Sequence, residues 1–114
     1  MPGELRYDFS TSGILAAIVA LGTTERAVAT NLFGEGIRGR RGQECDCPLA
    51  NYLKAVVKGA TEAFIYQDDE GLLYIIVKSG TEQVACVVGG PAKLFVVRFD
   101  LGHHSRLEAT DVAA

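Results

Sequence analysis

Three arginines and two cysteines share one glycine-punctuated stretch, Gly-Ile-Arg-Gly-Arg-Arg-Gly-Gln-Glu-Cys-Asp-Cys-Pro at residues 36–48, and no other part of the 114-residue chain concentrates so much reactive chemistry. Cys45 and Cys47 are the candidate reactive thiols. Pro48 suits the first position of a helix, where its missing amide costs nothing. Cys47 then falls at or beside the N-cap, where free amides and the helix dipole favour an anion. Arg40 and Arg41 would add to that effect and lower the thiol pKa, whereas Asp46, between the thiols, would oppose it. No general base stands nearby, so the plainer alternative is that one cysteine packs under the loop. Arg38, Arg40 and Arg41 offer a second chemistry. Among Gly36, Gly39 and Gly42 they can wrap a phosphate, a carboxylate or the surface of an acidic partner, helped by the amides that open the next helix. Their plainer alternative is pairing with Glu35, Glu44 and helix carboxyl ends.

Other chemistry is sparse. His103 and His104 could join the cysteine pair at a tetrahedral zinc, but a single residue between the cysteines is a tight bite. Exposed tail histidines are the default reading. Asp68-Asp69-Glu70 reads as a solvated hairpin tip, and Cys86 as a small core side chain on a valine face. Walker, serine-hydrolase, kinase and dinucleotide fingerprints are all missing. No catalytic residue is assigned, and neither a metal nor a cofactor is expected.

The elements that must position these residues follow from hydrophobic spacing. Ser10, Thr11 or Ser12 can cap a first helix carrying Ile14, Leu15, Ile18 and Val19, apolar nearly all round and therefore expected in the core or in a dimer interface. Thr23 or Thr24 caps a second helix with Val28, Leu32, Ala29 and Phe33. Leu49, Tyr52, Leu53, Val56 and Val57 mark the third at 3.6-residue spacing. Residues 63–67, 72–77 and 83–88 then read as strands, the first two joined by a hairpin tip at Asp68–Gly71. Residues 92–101 fit both a strand and a helix, and Pro91 at their start favours the helix. The expected fold is a single α+β domain over residues 1–114. Three short N-terminal helices pack on an antiparallel three-stranded meander, a helix closes the chain, and the ends at about 1–9 and 108–114 are loosely ordered.

The segment G-I-R-G-R-R-G followed by C-x-C-P-L-A-x-Y-L resembles small actinobacterial conserved proteins of unknown function, as does the later Phe99-Asp100-Leu101-Gly102. The resemblance implies a helical last element and a bacterial cytoplasmic setting, and no activity. A composition of 48% hydrophobic and 22% charged residues describes a globular chain. A net charge of −3 argues against general nucleic-acid binding. No run approaches the ~20 apolar residues of a membrane span, and three cysteines suit a reducing compartment. The functional expectation is a non-enzymatic cytoplasmic interaction or regulatory module, able to self-associate, whose arginine loop contacts an acidic partner or anion. The rival is a small thiol- or metal-dependent enzyme or redox protein built on Cys45 and Cys47.

Overall fold

Helix α3 (Pro48–Val56) is the centre of the molecule, and its sequence explains why. Pro48 opens it, and Leu49, Tyr52, Leu53 and Val56 form a stripe that is at most 1% exposed. The computed structural model describes residues 6–41, 43 and 46–108. Helix α1 (Thr11–Val19) is capped by the Ser10 hydroxyl, which accepts from the Gly13 amide. It buries Ile14, Ala17 and Ile18, while Leu15 and Val19 stay 39% and 71% exposed, so of the two expected settings, core or dimer interface, the core of this chain covers only one side of the helix. Tyr52 fastens α3 to α1 by donating its hydroxyl to the Ala17 carbonyl at 2.8 Å. Tyr52→Phe should lower the unfolding free energy by about 1–2 kcal/mol, because a buried carbonyl loses its donor. An unchanged urea midpoint would contradict this.

Helix α2 (Glu25–Gly34) is capped by Thr24, which accepts from the Ala27 amide, and it buries Val28 and Leu32. The sheet has order β1-β2-β3, with β1 Glu62–Gln67, β2 Leu73–Ser79 and β3 Glu82–Val88, antiparallel throughout. Alternation sends Ala63, Ile65, Leu73, Ile75, Val77, Cys86 and Val88 into the core. The Asp68 carboxylate shapes the first hairpin by accepting from the Glu70 and Leu72 amides.

Residues 92–101 resolve as helix: α4 spans Gly90–Asp100 and buries Ala92, Phe95, Val96 and Phe99. The architecture is therefore α+β, with four α-helices and a three-stranded antiparallel sheet among the described residues. Helices α1 and α3 meet the sheet, while α2 packs chiefly on α4. A 3-10 turn at Ser105–Leu107 closes the described chain. Among the described residues no helix is long and apolar enough to cross a membrane.

Where the ends are described, they are bonded to the body of the protein. The Arg6 and Tyr7 amides donate to the Val56 carbonyl, and Arg6 forks onto both Glu35 oxygens at 2.9 and 3.0 Å. Glu108 bridges to Gly39. Residues 1–5 and 109–114 lie outside the described residues.

Candidate functional site

Cys47 stands at the α3 N-cap, as the position of Pro48 implied, and its side chain is buried. Only 4% of the residue is exposed, and burial pushes the thiol up to about 11. Amides of Leu49 and Ala50 act in the opposite direction, as expected at a helix start, and they lose to burial. Burial and the raised pKa both disfavour the thiolate that the helix start and Arg40 and Arg41 were expected to promote. Cys45, Glu44 and Gly42 lie outside the described residues. Cys86 is buried on the inner face of β3, and burial raises its pKa as well.

The arginines separate. Arg40 Nε donates to Asp46 Oδ2 at 3.1 Å, and Arg41 Nε to Glu108 Oε1 at 3.2 Å. Neither pairs with Glu35, which Arg6 occupies. Asn51 of α3 holds the loop from below, donating to the Arg38 carbonyl at 2.7 Å and to Asp46 Oδ1 at 2.9 Å. Arg40 and Arg41 thus spend charge on keeping the loop attached to α3 and to the chain end. Arg38 is placed differently. Its guanidinium carbon lies 4.4 Å from the centre of the Phe33 ring, and that of Arg106 lies 4.2 Å from the same ring.

Phe33 leads to a cleft absent from the sequence reading. Its volume is about 540 Å³, and Glu25, Arg26, Phe33, His103, His104 and Arg106 are among its lining side chains. Helix α2 supplies one wall. The other depends on a chain reversal after α4, where Gly102 adopts φ +88° and the His103 amide donates to the Arg98 carbonyl at 3.0 Å. That reversal returns His104 to α2, where its Nε2–H donates to Glu25 Oε2 at 2.6 Å. Arg98 of α4 holds the other oxygen of Glu25 at 3.2 Å. The imidazole rests against Phe95 with ring centres 5.0 Å apart. His104 is therefore no exposed tail histidine: its side chain is 18% exposed and that of Glu25 is 15% exposed.

The electrostatics of this cleft are cationic. Glu25 is matched twice, by Arg98 and His104. Among the described residues, the side chains of Arg26 and His103 have no hydrogen-bonding or ionic partner, and that of Arg106 has no carboxylate. Three exposed donors therefore surround a space whose one acid is already occupied. Among the described residues no three His, Cys, Asp or Glu side chains gather as a metal would require. Compared with family models, curated proteins and solved structures, the chain matches none. The resemblance of its arginine and cysteine segment accordingly supplies no family assignment.

Proposed function

We propose that the chain is a non-enzymatic interaction and regulatory module of the bacterial cytoplasm that holds an anionic group of its partner, a carboxylate or phosphate, in the cleft between α2 and the closing turn. The observation that carries this reading is the set of uncommitted donors, Arg26, Arg106 and His103, around the already matched Glu25. Guanidinium groups in a concave site favour bidentate, charge-assisted bonds to such anions. Of the three loop arginines, Arg38 belongs to this surface through Phe33, whereas Arg40 and Arg41 act as anchors. Leu15 and Val19, which face outward on α1, support self-association alongside it. The rival reading as a thiol enzyme is weakened by the burial of Cys47.

Calorimetric titration at low salt with inorganic phosphate and with a hexaglutamate peptide tests the proposal. Binding should weaken as salt rises. Arg26→Ala combined with Arg106→Ala should cost at least about tenfold in affinity and leave the fold intact, since both residues are exposed. Equal binding by wild type and double variant, or no binding of either probe to the wild type, would overturn the reading.

A further inference from the structure

On the side of the sheet away from the helices, the residues that alternate outward are mostly apolar. Strand register places Phe64, Ile76 and Ala85 in one row across the strands and Tyr66, Tyr74 and Val87 in the next. Tyr66 is 47% exposed and Val87 53%, and the two tyrosine rings lie 6.1 Å apart. A soluble surface does not normally leave such a patch open without a use.

The ends of the face carry charge of one prevailing sign. Beyond the tyrosine row lies the hairpin tip with Asp68, Asp69 and Glu70, of which Asp69 and Glu70 are exposed and have no cationic partner among the described residues. The Tyr74 hydroxyl reaches Asp68 Oδ2 at 3.5 Å, so the acidic tip is continuous with the aromatic row. At the other end Glu62, Lys78 and Gln83 form a polar row, and the Lys78 ammonium is drawn over the Phe64 ring at 5.7 Å. We propose that this face docks a short apolar peptide segment flanked by lysine or arginine.

Size favours a segment over a second folded copy. Three strands about 4.8 Å apart and six or seven residues long give a footprint of roughly 300 Å². A stable protein–protein interface needs about 800 Å² on each side. Charge decides between peptide classes. An acidic segment or a nucleic acid would meet Asp69 and Glu70, whereas a basic flank would pair with them. Tyrosines supply large, rigid contact area at low entropic cost, which suits Tyr66 and Tyr74 to anchor the apolar part. This surface is separate from the cleft on α2, and the two readings stand or fall independently.

The test is panning of a random peptide library on the wild type and on Tyr66→Ser. Enriched peptides should combine apolar residues with lysine or arginine. One of them, synthesised and titrated, should shift the backbone amide signals of the three strands. Tyr66→Ser should weaken it at least about tenfold, and Asp69→Asn with Glu70→Gln about threefold, with a shallower salt dependence. A thermal melt confirms that each variant folds, and Val87→Ser replaces Tyr66→Ser if that variant does not. The proposal is overturned if no peptide is enriched on the wild type over the variant, if the enriched peptides are acidic, or if the shifts fall elsewhere. It is equally overturned if a single-stranded oligothymidylate gives the same footprint with higher affinity.

Discussion

Gly39→Ala should destabilise the protein by about 3 kcal/mol, the upper part of the range for forcing atoms into filled space. A β-carbon at this position would overlap the Asp46 carbonyl oxygen and stand 2.6 Å from the Pro48 nitrogen. Both obstacles are backbone at the entrance to α3, so neither can swing aside as a side chain would. Space is the whole difficulty here, because Gly39 has no positive φ. The same residue donates its amide to the Leu107 carbonyl at 2.9 Å, and the next amide, of Arg40, donates to the Asp46 carbonyl at 2.7 Å. Relief of the overlap would therefore separate the loop either from α3 or from the closing turn. The second route exposes Leu107, now 2% exposed, and releases the wall of the cleft that carries His103, His104 and Arg106. Gly34→Ala is the control, since nothing lies within 4 Å of a β-carbon there and its φ is not positive. It should be neutral or mildly stabilising. Urea unfolding of both variants decides the matter: a Gly39→Ala loss below about 1 kcal/mol would show that the entrance to α3 can yield.

The contrast between these two glycines shows what was legible beforehand. Residues whose partners are sequence neighbours were readable: the Ser10 and Thr24 caps, the α3 stripe beginning at Pro48, and the hairpin turning on Asp68. Residues 92–101 stayed ambiguous because Phe95 and Phe99 satisfy both periods, and only the burial of Ala92 and Val96 beside them selects the helix. Contacts across the chain were not readable. His104 and Glu25 lie 79 residues apart, and no local pattern pairs them. A partial signal existed in Gly102, a helix-ending residue placed just before the two histidines. For the arginines, counting nearby acids suggested Glu35 and Glu44, but an ion pair depends on where the backbone goes. Arg6 reached Glu35 first, and Arg41 found Glu108.

Cys47 carries the other large expected effect, a loss of stability at alkaline pH. Its thiol is held up at about 11 by burial, against an ordinary value of 9.0. A group whose pKa is raised by folding keeps its proton in the native state after the unfolded chain has released it. Above pH 9 the unfolded state therefore binds fewer protons, and the unfolding free energy falls as pH rises. The contribution is fully present below pH 9 and lost by about pH 11. Two pH units correspond to about 2–3 kcal/mol. Tyr52 and Cys86 are raised by burial too, so they add to any alkaline decline. Cys47→Ala separates the contributions: it costs some packing at neutral pH but should flatten the decline between pH 9 and 11. The measurement is urea unfolding of wild type and variant across that range. Parallel curves would mean that the thiol reaches water after all, and the α3 amides would then be free to stabilise a thiolate. In that event a thiol reagent at neutral pH should modify Cys47 readily in the folded protein. With the thiol buried as described, modification should instead wait for unfolding.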